Sequence, residues 1–155
     1  MNYHKIEKCD VTSGVGVRVT LYISGCLLHC PYCHNPETWD FNSGKYFDKN
    51  VKDELFESLS KSYIKGLTLS GGNPMDSYVE VLELVKLFRE TFGDTKDIWL
   101  YSGYTLEEII ASDRTEILDY IDVLVDGRYI HELRDLTLEF RGSSNQRVLY
   151  KGKDF

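Results

Sequence analysis

Apolar positions along this chain switch repeatedly between a period of two and a period near 3.6, the mark of strands alternating with helices. Val17-Arg18-Val19-Thr20-Leu21-Tyr22-Ile23 is β-branched and aromatic and runs into Ser24-Gly25, which predicts a strand ending in a loop. Asp48 is placed to cap a helix on which Val51, Leu55, Phe56 and Leu59 share a face. Gly66 to Ser70 reads as a short buried strand stopped by Gly71-Gly72. A second helix is predicted from Ser77 to Phe92, with Val81, Leu84, Val85 and Phe88 on one face and Gly93 as its stop. Ile98 to Tyr101 is a strand broken by Ser102-Gly103, and Thr105 with Glu108 forms a capping box for a further helix. Val123-Leu124-Val125 is a last short strand, ended by Asp126-Gly127.

This order implies an α/β fold of parallel strands joined by crossovers, with the ligand site at the carboxyl ends of the strands. Every unusual loop sits at those ends. A complete eight-unit barrel takes about 250 residues. The 155 residues here are therefore expected to form one domain, 1–155, built as a partial (β/α) barrel with a mostly parallel sheet, open on one side.

Composition narrows the function. With 42% apolar and 28% charged residues the chain has material for a core. Its 18 basic against 25 acidic residues, net charge -7, lack the electrostatic footprint of a nucleic-acid binder. No apolar run approaches the roughly 20 residues of a membrane span, and the opening Met1-Asn2-Tyr3-His4-Lys5 has no apolar stretch of the signal-peptide kind. The expectation is a cytoplasmic protein without nucleic-acid or membrane partners. In that reducing setting four cysteines, three of them within eight residues, read as metal ligands or redox groups.

Cys26-Leu27-Leu28-His29-Cys30-Pro31-Tyr32-Cys33 sets three thiols at C-x3-C-x2-C spacing directly after the first predicted strand. Four thiolates saturate a four-iron cluster, whereas three leave one iron open to an exogenous ligand. The competing reading is closed structural zinc, with His29 or His34 completing a Cys3His tetrahedron, and spacing alone does not separate the two. Context favours the open cluster: structural zinc usually stabilises a small metal-dependent unit, and this loop lies at the ligand edge of a chain with its own core. Cys9 stands outside the spacing and reads as a small buried hydrophobe. Glu80, Glu83, Glu107 and Glu108 read as a solvated helix surface.

With an aromatic residue before its last cysteine, the loop resembles the signature of radical S-adenosylmethionine enzymes. The run Cys30-Pro31-Tyr32-Cys33-His34-Asn35-Pro36-Glu37-Thr38-Trp39 resembles the activating enzymes of glycyl-radical proteins. Met1-Asn2-Tyr3, Trp99 to Tyr104, Val123 to Gly127 and Arg141 to Gln146 extend the likeness over nearly the whole chain, to the activators of anaerobic ribonucleotide reductase. Cys33-His34-Asn35 is shared with activators of other glycyl-radical enzymes such as pyruvate formate-lyase, against which length and the C-terminal segment argue. The resemblance implies a [4Fe-4S] cluster on Cys26, Cys30 and Cys33 whose open iron binds the amino and carboxylate groups of S-adenosyl-L-methionine. It implies that an electron, from a donor such as flavodoxin, cleaves the sulfonium to methionine and a 5′-deoxyadenosyl radical. That radical would take a hydrogen from a glycine of the large catalytic subunit of the reductase. No catalytic side chain beyond cluster and cofactor is implied.

The other loops follow. Paired glycines after a strand let backbone approach a ligand closely, although Gly71-Gly72-Asn73-Pro74 alone is equally an ordinary tight turn. By resemblance this loop accepts hydrogen bonds from the methionyl amine, and Asn73 stands where the family usually has an acid. Asn73 can accept through its amide oxygen but adds no charge. Resemblance also places Tyr32 near the adenine with Cys33 and His34 following the ligand, Ser102 near the ribose or the methionyl carboxylate, and Asp126 near the ribose or a monovalent cation. An acid before glycine after a strand is also plain turn chemistry. Arg141 to Arg147 follows Phe140, where the family usually has tryptophan, and is expected to order the C-terminus over the ligand, to meet the reductase, or to be a solvated loop.

Overall fold

The computed structural model describes every residue from Met1 to Phe155, and the anticipated alternation appears with extra strands at both ends. An antiparallel pair, β1 (Asn2–Asp10) and β2 (Arg18–Ile23), opens the chain. A two-residue strand β3 (Lys45–Tyr46) precedes α1 (Lys49–Leu59) and β4 (Gly66–Gly71). Then follow α2 (Tyr78–Phe92), β5 (Asp97–Tyr101), α3 (Leu106–Ala111), β6 (Val123–Asp126) and β7 (Arg147–Tyr150).

The sheet order is β3-β1-β2-β4-β5-β6-β7. The four strands β2, β4, β5 and β6 are parallel, while β1, β3 and β7 add to them antiparallel. The architecture is thus a mixed α/β sheet with a parallel centre. β1 went unanticipated because Asn-Tyr-His-Lys-Ile-Glu-Lys-Cys-Asp carries no continuous apolar face; backbone pairing to β2 holds it. Cys9, on this strand, is exposed rather than buried.

Local signals that rest on hydrogen bonding hold well. Asp48 accepts from Val51 N at 2.9 Å to start α1. Thr105 and Glu108 close a complete capping box on α3. Gly93 ends α2 at φ +56°, a left-handed conformation suited to glycine.

The helices cover one face of the sheet only. Val19, Leu21 and Ile23 of β2, Leu67 and Leu69 of β4, Ile98 and Leu100 of β5 and Leu124 of β6 meet Leu55, Leu59, Val81, Leu84, Val85, Phe88, Leu106 and Ile109 of the helices in the main core. Period-two alternation sends the intervening residues to the opposite face. There Trp99, Val123 and Val125 form a smaller cluster with Tyr101, Phe140 and Val148. Beside it Arg18, Thr20 and Thr68 are fully buried. The Arg18 guanidinium donates to Thr68 Oγ1 (2.8 Å), Val15 O (2.9 Å), Leu67 O (3.0 Å) and Asp97 Oδ1 (2.6 Å), and it lies 5.5 Å from the Trp99 ring centre. The charge is tolerated in the interior because its polar hydrogens meet acceptors and Asp97 balances it.

Arg18→Ala strands these acceptors and Asp97. Denaturant unfolding is expected to show a loss of about 3–5 kcal/mol, and a loss below about 1 kcal/mol would contradict this account.

Candidate functional site

Parallel pairing of β2 with β4 and of β4 with β5 aligns the strand ends, so the loops that leave them emerge side by side. The loop after β2 carries the cysteines. Gly25, at φ +108°, turns the chain out of the sheet, and Gly25 N and Cys26 N donate to Thr38 O (2.7 Å) and Trp39 O (3.1 Å), which pins both ends of the cysteine segment. Between the cysteines His29 (φ +48°) and Tyr32 (φ +60°) adopt left-handed backbone, at a cost of about 1 kcal/mol or more each. The strain is spent on turning a short loop so that Cys26, Cys30 and Cys33 all line one cleft.

That cleft measures about 720 Å³, within the usual range for small-molecule sites. Its floor is the helix-free face of the sheet, and its walls include Ser70, Gly71, Gly72, Asn73, Ser102 and Gly103 beside the cysteine loop. Most of the anticipated site residues therefore converge.

The reason for the glycine pair lies in the protein itself. Gly72 N donates to Ile23 O and Asn73 N to Gly25 O, both at 2.8 Å, joining the loop after β4 to the start of the cysteine loop. A Cβ on Gly71 would sit 2.3 Å from Ile23 N, and one on Gly72 would sit 2.5 Å from Gly25 O. The close approach anticipated for a ligand is thus made first by the cysteine loop's own backbone. Gly103, in the loop after β5, approaches a side chain of the cysteine loop instead: a Cβ there would collide with Leu28 Cδ1.

Burial pushes the Cys26 thiol above its ordinary range, while the backbone of His29 and Leu28 pulls the other way. Asn35 N lies 3.4 Å from Cys33 Sγ. Three soft sulfur donors on one irregular loop are the donor chemistry of iron–sulfur ligation, although no three His, Cys, Asp or Glu side chains, these cysteines included, are drawn together closely enough here to hold a metal ion. The imidazoles that the zinc reading needs pack against aromatic rings. His29 stacks on Trp39 at 4.4 Å, and His34 packs against Tyr129 at 4.8 Å.

Asn73 is 1% exposed. Its Nδ2 donates to Asp76 Oδ2 at 3.1 Å, and its Oδ1 accepts from Gly103 N at 3.4 Å. Ser102 is buried; its Oγ donates to Tyr104 O (3.0 Å) and accepts from Tyr104 N (2.9 Å). The Tyr104 hydroxyl is raised to about 12, by burial first and then by its bond to Asp76.

Two anticipated residues stand apart. Tyr32 is 70% exposed and does not line the cleft; its ring stacks on His131 at 4.3 Å, at the outer rim. Asp126 is fully buried and consumed internally: Oδ2 accepts from Leu106 N (2.7 Å) and Arg147 Nη2 (2.5 Å), and Oδ1 from Arg147 Nε (3.0 Å). Both Asp126 oxygens therefore already hold strong donors from within the protein. Glu107 and Glu108 lie on the solvated helix surface as expected, and both are ion-paired there. Arg147 lowers the Glu107 carboxyl to about 2, and Arg128 does the same for Glu108.

Sequence reasoning singled out Arg141 to Arg147 but missed Tyr129, His131 and Arg134 in the segment after β6. Tyr129, His131, Arg134 and Arg141 line the cleft, and the polar run before β7 holds them there. Gln146 Oε1 accepts from Gly142 N (3.0 Å) and Ser143 N (3.1 Å), while its Nε2 donates to Gly127 O (3.0 Å). Asn145 Nδ2 donates to Arg128 O at 2.7 Å. This clustering of amide and hydroxyl groups was the available signal. Two cleft-lining residues keep buried donors without acceptors, Trp39 Nε1 and Arg141 Nε.

Comparison with known proteins agrees with this donor set. A family model described as a 4Fe-4S single cluster domain matches residues 12–149. Proteins named anaerobic ribonucleoside-triphosphate reductase-activating protein are similar over nearly the whole chain. That of Escherichia coli (strain K12) is 42% identical, over 96% of this chain and 97% of its own length. That of Vibrio cholerae serotype O1 is 45% identical with the same coverage, and that of Enterobacteria phage T4 is 44% identical over 96% of this chain and 93% of its own.

If Asp126 is structural, Asp126→Ala leaves Arg147 and the α3 amide unpaired. Unfolding free energy should fall by about 2–4 kcal/mol in a denaturant titration; an unchanged value would contradict the assignment.

Proposed function

This chain belongs to the family of anaerobic ribonucleoside-triphosphate reductase-activating proteins and carries a 4Fe-4S single cluster domain, and from that premise we propose that it is a radical S-adenosylmethionine activase acting on anaerobic ribonucleotide reductase. The observation that supports this reading most is the convergence of Cys26, Cys30 and Cys33 with Gly71, Gly72, Asn73 and Ser102 on one cleft at the strand ends. On this reading the sheet with helices on one face is the partial barrel of radical S-adenosylmethionine enzymes, and the protein works in the cytoplasm. No helix is long and apolar enough to cross a membrane.

Cys26, Cys30 and Cys33 hold the [4Fe-4S] cluster. Its chemistry, when bound, is one-electron reductive cleavage of S-adenosylmethionine at the iron without a protein ligand, which leads to a glycyl radical on the reductase. An electron donor such as flavodoxin supplies the reducing equivalent. The chain's own residues position and exclude. Asn73 Oδ1 and the backbone of Gly71-Gly72 present acceptors to the amine. Ser102 Oγ, its proton already given to Tyr104 O, acts toward a hydroxyl ligand as an acceptor. His34, packed on Tyr129, and Cys33 border the nucleoside, with Tyr32 at the rim. The segment from Tyr129 to Arg141 covers the cleft from the far side and restricts water, protecting a reactive species from side reactions. The reactive end remains open to a glycine-bearing loop of the larger subunit.

Anaerobic reconstitution should give a four-iron absorption and paramagnetic resonance signature that changes on adding S-adenosylmethionine, and mixing with anaerobic reductase and reductant should give a glycyl-radical doublet. Tightly bound zinc without iron would overturn this reading. Replacing Cys26, Cys30 or Cys33 by alanine should lower reductive cleavage at least about 100-fold, a loss of about 2.7 kcal/mol or more in transition-state stabilisation. Cys9→Ala, at an exposed position of strand β1, should leave it unchanged. Normal 5′-deoxyadenosine formation by Cys30→Ala would refute the ligand assignment.

A further inference from the structure

Three residues beyond Asn73, in the 3-10 turn Pro74–Ser77 that leads into α2, Asp76 makes contacts that link every loop of the cleft's near wall. Its side chain is 0% exposed. Oδ2 accepts from Leu27 N of the cysteine loop at 2.9 Å and from Asn73 Nδ2 at 3.1 Å. Oδ1 accepts from the Tyr104 hydroxyl, in the loop after β5, at 2.7 Å. The nearest cation is Arg114, 4.0 Å from Oδ1 and 40% exposed, and its Nη1 already donates to Met75 O at 2.7 Å.

Two consequences follow from elementary electrostatics. The amide of Asn73 has one arrangement compatible with both neighbours: a carboxylate requires Nδ2 on its side, and the Gly103 N–H requires Oδ1 on the other. The side chain therefore offers an acceptor where a freely rotating amide would offer either group. Secondly, the carboxylate is surrounded by three neutral donors and one solvent-facing guanidinium at the outer limit of ion-pair distance. The solvent-facing Arg114 balances the carboxylate only in part, which leaves negative potential behind Asn73 on the side that faces the cleft.

We propose that Asp76 is a positioning residue for the ligand amine: its buried carboxylate fixes Asn73 with the amide oxygen available and supplies the negative charge that Asn73 itself lacks. The inference rests on the reading of the cleft as an S-adenosylmethionine site and deepens it. Selectivity for an amino group, whose N–H hydrogens carry positive charge density even when its lone pair is given to a metal, then comes from a residue that does not touch the ligand.

The test is calorimetric, on anaerobically reconstituted full-length protein, with iron per chain measured alongside. The ligands are S-adenosylmethionine and an analogue with hydrogen in place of its amino group. Asp76→Asn should weaken S-adenosylmethionine about tenfold and the analogue less than about twofold, with iron content unchanged. Asn73→Asp combined with Asp76→Asn returns one carboxylate to the wall and should recover S-adenosylmethionine affinity to within about threefold of the parent. Asn73→Asp alone should tighten binding by no more than about threefold, since the wall already carries its charge. This variant decides the matter should Asp76→Asn fail to fold. The proposal is overturned by a loss under about threefold in Asp76→Asn, by equal losses for the two ligands, or by more than about threefold tightening in Asn73→Asp. A parent protein that binds no S-adenosylmethionine would instead remove the underlying reading.

Discussion

Backbone contact between the loops after β2 and β4 is the constraint on which the site depends. Those strands run parallel and in register, so their exits are adjacent, and the Gly72 and Asn73 amides are bonded to Ile23 and Gly25 carbonyls. Such contact leaves no room for a Cβ at residues 71 and 72. The cysteine loop is consequently fixed at its root by main-chain bonds, which no side-chain motion can release. Between the loop's anchored ends the segment around His29 and Tyr32 turns with two residues in left-handed backbone.

The cleft is electrically uneven. Near the root of the cysteine loop lie Asn73 and the buried Asp76; along the far side lie Arg134 and Arg141. In a chain of net charge -7, basic groups gathered at one cleft are a local feature rather than a reflection of composition. Other charges are turned inward or paired off: Asp126 with Arg147, Glu108 with Arg128, Arg18 with Asp97. Through this pairing Asp126, at a strand end like the other loops, ties β6 to α3 and β7.

Much of this was legible in the sequence, and the boundary has physical causes. Elements with a buried apolar face or a capping group, such as α1 behind Asp48 and α3 behind Thr105, declare themselves locally. The cysteine spacing and the glycine pair were equally plain. β1 was not, because a strand of mixed polarity draws its stability from its neighbour's backbone. Asp76 was hidden for a similar reason: its meaning comes from Leu27 and Tyr104, each more than twenty residues away, and nothing in Pro-Met-Asp-Ser announces them. Tyr129 and His131 lie beyond reach likewise, since they meet His34 and Tyr32 only through the fold.

Helices packed on one side of the sheet, with the cleft on the other, separate two kinds of evolutionary accident. Because alternate residues of a single strand face opposite ways, a substitution at Leu69 alters how durable the molecule is, whereas its neighbour Ser70 borders the cleft and can alter what the molecule recognises. Lineages are thus free to drift in thermal tolerance along one set of positions while recognition is held constant by the interleaved set.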